Sequence, residues 1–258
     1  MEYFEGKIVL ITGASSGIGE ALAYELSKHR AKLILSARRL DFLDKVRDSC
    51  ANPDLIKCMQ FDVTRLEEVE TFVSEAKLKY GSIDILINSA GVSQRCNAED
   101  TSLALQKQIF DVNYFGAITL TMEVMKYFRQ QNKGDVISIS SLASVLTPPK
   151  RTTYTASKAA LEGFLNSLRY EVRSTAIFLM IVRSGAVKTN IGKNAIYGSV
   201  SNSSSQSEII EKGMTPERFA KRILKAIILR ENNLAVGNFS ERFSATLRRI
   251  FPGIMFRR

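Results

Sequence analysis

The chain has 258 residues, long enough to bury a substantial core, and its 45% hydrophobic and 24% charged content excludes a disordered protein. Lys and Arg exceed Asp and Glu by 36 to 26, a formal +10, and residues 240–258 alone contribute +4 through five Arg against one Glu. The remaining excess forms no basic run, and no zinc-finger or helix-turn-helix spacing accompanies it, so nucleic acid is not an expected partner.

In chain order, short β-branched runs alternate with amphipathic stretches. Strands are predicted at 7–12, 32–36, 55–61, 83–88, 135–140, 176–182 and 234–236. Helices are predicted at 17–29, 40–50, 65–80, 102–112, 115–131 and 154–173. The run Ile83–Asn88 is almost wholly apolar, as a strand buried on both faces requires. The alternation implies an α/β, doubly wound Rossmann fold: a seven-stranded parallel sheet flanked by helices, in one domain over 1–258. Ligands of such sheets sit at the carboxyl ends of the strands, near the switch in strand order. The Ser-rich segment 198–207 reads equally as a mobile substrate loop, within 190–213, or as a plain surface connector.

Cys50, Cys58 and Cys96 are odd in number and lack metal-ligand spacing, so a disulfide scaffold and a metal site are not expected, and a reduced compartment fits. His29, the single histidine, reads as a solvated residue at a helix end. The apolar run Ile8–Ile11 is too short for a signal peptide or a span. A cytoplasmic protein is expected, with attachment to the cytoplasmic membrane face as the alternative.

After the first strand comes Thr12-Gly13-Ala14-Ser15-Ser16-Gly17-Ile18-Gly19. Its glycines permit positive φ and close backbone approach, and the following helix offers free N–H groups to a pyrophosphate. At the end of the second strand an acidic residue would bind the ribose hydroxyls of NAD. Here stand Arg38 and Arg39, whose guanidinium groups suit the 2′-phosphate of NADP. Asp62 and the neighbouring Val63 follow the third strand as candidates for the adenine. Asn88, Ala90 and Gly91 follow the fourth, where the ribose would pass.

Tyr154 and Lys158 lie four apart on one helix face. A free tyrosine titrates near about 10, and a nearby ammonium would lower that value toward the range of a general acid or base. Ser141 precedes Tyr154 at the end of the fifth strand, and Asn113 sits between two predicted helices. Together with the glycine loop and Asn88-Ser89-Ala90-Gly91, these residues resemble the short-chain dehydrogenase/reductase family over roughly residues 5–190. The resemblance implies hydride exchange between NADP(H) and a carbonyl or alcohol. It implies Tyr154 as general acid, Ser141 bonding the substrate oxygen, Lys158 on the nicotinamide ribose and Asn113 supporting a water relay. Val187 and Thr189 match the carboxamide-binding positions. The usual proline after the sixth strand is Ser184 here, so a looser turn is expected.

Phe243, Leu247 and Ile250 recur at helical spacing beside Arg242, Arg248 and Arg249. This basic amphipathic segment, 240–258, packs on the protein's own core or a partner subunit, or lies on an anionic bilayer. It also resembles the tails of membrane-associated family members that reduce lipid or steroid carbonyls. A hydrophobic small-molecule substrate is expected, such as a lipid, a steroid or a 3-oxoacyl compound. The resemblance further implies a homodimer or homotetramer. The rival readings are a non-catalytic NADP-binding regulatory protein and a nucleotide-sugar epimerase, which shares the Tyr/Lys pair.

Overall fold

The computed structural model describes residues 2–189, 213–251 and 253. Seven strands, β1 (Ile8–Thr12), β2 (Lys32–Ala37), β3 (Ile56–Gln60), β4 (Ile85–Asn88), β5 (Lys133–Ser141), β6 (Ala176–Ser184) and β7 (Asn233–Val236), form one sheet. Their order is β3-β2-β1-β4-β5-β6-β7, and every pairing is parallel. The order reverses between β1 and β4, so the ligand crevice opens at the carboxyl ends of these two strands.

Alternation along the strands feeds two apolar layers. Val9, Ile11, Leu33, Leu35, Ile87 and Ile139 face one layer, with Leu22 and Leu26 of helix α1 (Gly17–Lys28). Leu10, Ile34, Leu86, Val136 and Leu179 face the other, with helices α3 (Val69–Tyr80), α5 (Gly116–Gln131) and α7 (Thr152–Glu171). Burial on both faces is why β1 and β4 are apolar almost throughout, whereas β5 alternates Ile137 and Ile139 with the buried Ser138 and Ser140. Helix α2 (Leu40–Asp48) follows β2 as expected.

Three features depart from the sequence reading. The two helices expected around Asn113 are one run: α4 (Leu103–Phe110) passes through a π turn at Asp111–Phe115 into α5. No residue in that stretch breaks a helix, and a single wide turn absorbs the register change. Helix α8 (Pro216–Ile228) lies beyond the helices expected from the sequence, and it buries Phe219, Ala220, Ile223, Leu224 and Ile227. Thr215 caps it by accepting from the Arg218 N–H, and Pro216 opens it, a start signal present in the sequence. His29 does end α1, but it is partly buried near Phe4 and 3.9 Å from Glu25, and burial lowers its pKa. The short helix α6 (Ala143–Leu146) follows β5.

The tail forms helix α9 (Phe239–Ile250), begun by a capping box between Asn238 and Glu241. One edge docks on the body through buried Ala245 and an Arg248 Nη1 bond to the Leu146 carbonyl at 2.7 Å. Phe239, Phe243, Ile250 and Phe251 remain exposed, with the first two rings stacked. No helix among the described residues is long and apolar enough to cross a membrane. The expected substrate loop lies, but for Gly213, outside the described residues.

Candidate active site

The glycine loop runs from β1 into α1 across the loop that follows β4. Gly13 has φ +65°, and a Cβ there would lie 2.7 Å from the Ala90 backbone. Only a glycine tolerates both that φ and that contact. Thr12 Oγ1 accepts from the Ser89 and Ala90 N–H groups at 3.2 and 3.4 Å, fixing the crossing. Ser16 precedes α1 in extended conformation and does not cap it with its side chain. Ser15, Ser16 and Ile18 are all partly exposed. Gly17 has φ +63°, and its N–H meets Glu20 Oε2 at 3.2 Å. Thr189 comes close above it: a Cβ on Gly17 would lie 3.3 Å from the Thr189 side chain. Gly19 packs against the Gly13 backbone.

The other cofactor candidates flank this cradle. Arg38 and Arg39 are exposed beyond β2, and the Arg39 guanidinium lies 3.8 Å from the centre of the Phe42 ring. Asp62 accepts from the Thr64 N–H and hydroxyl at 3.0 and 2.9 Å, which shapes its own turn. Val63 abuts the start of α5: a Cβ on Gly116 would lie 2.6 Å from its carbonyl. Asn88 is buried and donates to Thr121 and Ser138, and its Oδ1 is without a hydrogen-bond partner among the described residues. Ser36 Oγ is likewise buried without a partner. A helix start that the Ser16 side chain does not cap, a glycine crossing and two buried polar atoms without partners among the described residues fit a dinucleotide.

The four proposed catalytic residues converge past the ends of β4 and β5. Asn113, in the π turn, is buried; its Nδ2 donates to the Val92 carbonyl at 3.0 Å and to Ser157 Oγ at 3.1 Å. Its Oδ1 accepts from the Val92 N–H at 2.9 Å. Lys158 is buried on α7 and donates to the Ile139 carbonyl at 2.8 Å. A Cβ on Gly91 would lie 3.3 Å from Asn113 Oδ1 and 3.6 Å from Lys158 Nζ, so glycine keeps the flank of the ammonium open. Ser141 closes β5, paired with Ser184 of β6. Its hydroxyl donates to the Ser184 carbonyl at 3.3 Å, a long bond readily exchanged for another acceptor.

Burial pushes the Tyr154 phenol up, while the Ser141 hydroxyl and then the Arg151 guanidinium pull it down. The expected pull from Lys158 is absent. Its ammonium turns to Ile139, and burial brings its own pKa down to about 8, against an upward pull from Glu162.

The seven-stranded parallel order agrees with the comparisons. The short chain dehydrogenase family model matches residues 7–197. The chain belongs to the short-chain dehydrogenase family. A dehydrogenase/reductase SDR family protein 7-like from Drosophila melanogaster is 34% identical over 256 residues, covering 97% of this chain and 78% of the relative. A short-chain dehydrogenase from Streptomyces avermitilis superposes with TM-score 0.86 at 28% identity, covering 97% of this chain and 95% of that one. A short chain dehydrogenase/reductase from Burkholderia phymatum, solved in complex with NAD, superposes with TM-score 0.88 at 22% identity over all of this chain and 97% of its own, a likeness of fold.

Within this short-chain dehydrogenase, sequence reasoning missed a buried charge network behind the site. Glu162 lies one further turn along α7 from Lys158, the signal by which it was findable. Its Oε1 accepts from Ser140 at 2.6 Å and Ser144 at 2.7 Å, and its Oε2 pairs with Arg183 Nε and Nη2 at 2.8 and 2.7 Å. Nor is the turn at Ser184 loose. Ser184 Oγ donates to the Ser140 carbonyl at 3.1 Å, the Gly185 N–H to the Val236 carbonyl at 2.6 Å, and the Ala186 N–H to Glu241 Oε1 at 3.3 Å. These bonds do what the ring of a proline would do, and they hold Val187, itself buried and bridged to Met214.

Proposed function

We propose that the chain is an NADP(H)-dependent oxidoreductase that interconverts a carbonyl and an alcohol, acting on a hydrophobic keto substrate. The observation that carries the reading is the buried grouping of Tyr154, Ser141, Lys158 and Asn113 beside a glycine cradle. When bound, the nicotinamide cofactor supplies the hydride. The chain's own residues handle the proton. Tyr154 donates its phenolic proton to the substrate oxygen, and Ser141 exchanges its long bond to Ser184 for one to that oxygen. Lys158 holds the nicotinamide ribose, on the side that Gly91 leaves open. Asn113, braced on Val92 and Ser157, supports the proton supply toward Lys158.

Gly13, Ser15, Ser16, Gly17, Ile18 and Gly19 bind the pyrophosphate, and Arg38 with Arg39 binds the 2′-phosphate. Asp62 and Val63 meet the adenine, Asn88, Ala90 and Gly91 the ribose, and Val187 with Thr189 the carboxamide. The cationic α9, with its exposed Phe239 and Phe243, supports peripheral contact with an anionic membrane at its cytoplasmic face. The assembly is a homodimer or homotetramer.

The test is a carbonyl panel, from short ketones to long-chain lipids, assayed by NADPH and NADH oxidation. Consumption of NADPH in preference to NADH supports the reading. Replacing both Arg38 and Arg39 by alanine is expected to cost NADPH about ten- to hundredfold relative to NADH, the worth of charge-assisted hydrogen bonds. A parent preference for NADH would overturn the cofactor assignment. Failure of every carbonyl to consume either cofactor would favour the epimerase or the binding protein instead.

A further inference from the structure

The helix that carries Tyr154 starts without a cap of its own. Arg151 stands at its N-cap position and its side chain accepts no bond there. Exposed N–H groups at a buried helix start are costly unless something distant accepts from them. That acceptor is Gln94. Its Oε1 receives the Thr153 N–H at 2.9 Å and the Tyr154 N–H at 3.1 Å. Gln94 is completely buried.

The other end of the same side chain is held just as firmly. Gln94 Nε2 donates to Thr101 Oγ1 at 2.7 Å, and Thr101 in turn donates to the Asn97 carbonyl at 2.7 Å. The amide is therefore fixed in orientation, with the carbonyl turned toward α7. Two residues earlier, Val92 is bonded through both its N–H and its carbonyl to the side chain of Asn113. The segment Val92–Gln94 thus touches two of the four proposed catalytic positions. It also continues directly from Asn88-Ser89-Ala90-Gly91, the loop that crosses the glycine cradle.

We propose that Gln94 is a positioning residue: it docks the first turn of α7 onto the loop after β4 and so sets the place of the Tyr154 phenol relative to Asn113 and the cofactor cradle. This rests on the reading of Tyr154 as the proton donor. Gln94 touches neither substrate nor cofactor, so its loss acts on the geometry of the reacting group. The cost falls on kcat, since a displacement of about 1 Å at a reacting group is worth about 10²-fold in rate.

The experiment compares Gln94→Leu, Gln94→Glu, Thr101→Val and Tyr154→Phe in the full chain. NADPH binding is titrated by fluorescence, and turnover of a panel-identified carbonyl is expressed per NADPH-binding site. Gln94→Leu is expected to lower kcat about 10²-fold with NADPH affinity and substrate KM unchanged. Gln94→Glu keeps an oxygen facing Thr153 and Tyr154 and, as the neutral acid that burial favours, donates to Thr101 in place of the amide N–H, so it is expected to restore most of kcat. A merely structural loss would instead lower the number of binding sites and leave kcat per site unaltered. Should Gln94→Leu fail to fold, Thr101→Val decides: it removes the shortest bond of Gln94 Nε2, leaving those to Thr152 Oγ1 at 3.5 Å and Cys96 Sγ at 3.6 Å, and is expected to lower kcat about tenfold at unchanged KM. Parent-like kcat per site in Gln94→Leu or, failing that, in Thr101→Val overturns the inference, as does a kcat loss in Gln94→Leu that Gln94→Glu does not recover. Tyr154→Phe separates the two levels: if it turns over like the parent, the catalytic reading fails. If it is inactive while Gln94→Leu is unimpaired, the positioning role alone fails.

Discussion

Replacing Glu162 by alanine strips the buried Arg183 guanidinium of its carboxylate. In the parent, Arg183 reaches Glu162 Oε2 through Nε at 2.8 Å and Nη2 at 2.7 Å, with the two side chains 7% and 9% exposed. The same change removes the acceptor of the Ser140 and Ser144 hydroxyls. Breaking a buried pair by deleting one partner costs about 3–5 kcal/mol, because the remaining charge stays desolvated. In a chain of this size that is a fall in Tm of roughly 6–20 °C. Urea unfolding followed by circular dichroism measures it, with Glu162→Leu/Arg183→Met as the partner variant. Removing both charges takes away the uncompensated ion, so the double variant is expected to be more stable than Glu162→Ala. A cost below about 1 kcal/mol for Glu162→Ala, the level of an exposed pair, would refute the reasoning. So would a double variant whose loss is the sum of the losses of Glu162→Leu and Arg183→Met taken singly.

Lys158 supplies a pH signature. Burial brings its pKa down to about 8, so in the cofactor-free protein its ammonium is lost as pH rises through about 8, and NADPH binding is expected to weaken across that range. Lys158→Met should bind weakly with no such step; a step of equal size in that variant would assign it elsewhere. The sign for stability is opposite. The unfolded lysine stays protonated until pH 10.5, so between about 8 and 10.5 the unfolded chain binds more protons and stability gains from this group as pH rises. At the tail, the full chain is expected to co-sediment with phosphatidylserine vesicles, and Phe239→Ser/Phe243→Ser to remain in solution. Equal sedimentation of the two would remove the membrane contact.

The sheet was legible because its signal is local. Ile8–Ile11, Leu33–Leu35 and Ile85–Ile87 are runs that only a doubly covered strand requires. The glycine loop was legible for the same reason, since Gly13 and Gly17 answer to φ values set within their own turns. The π turn at Asp111–Phe115 was not, because no residue type marks a single wide turn inside an otherwise unbroken helix. Glu162 and Arg183 resemble surface charges until the fold brings α7 against β6, though the spacing from Tyr154 through Lys158 to Glu162 already placed all three on one face. Gln94 carried no signal at all: it caps a helix about sixty residues away, a relation that exists only once the loop after β4 is packed on α7. Helix α8 was readable from Thr215-Pro216 and the apolar spacing that follows.

The proton-donor role of Tyr154 is tested most directly by Tyr154→Phe, with NADPH binding and carbonyl turnover measured on one preparation. The phenylalanine ring keeps the buried shape and removes only the hydroxyl. NADPH affinity is expected to match the parent while turnover falls by about 10²–10⁴-fold, the worth of a positioned general acid. Turnover at the parental rate would contradict Tyr154 as the proton donor.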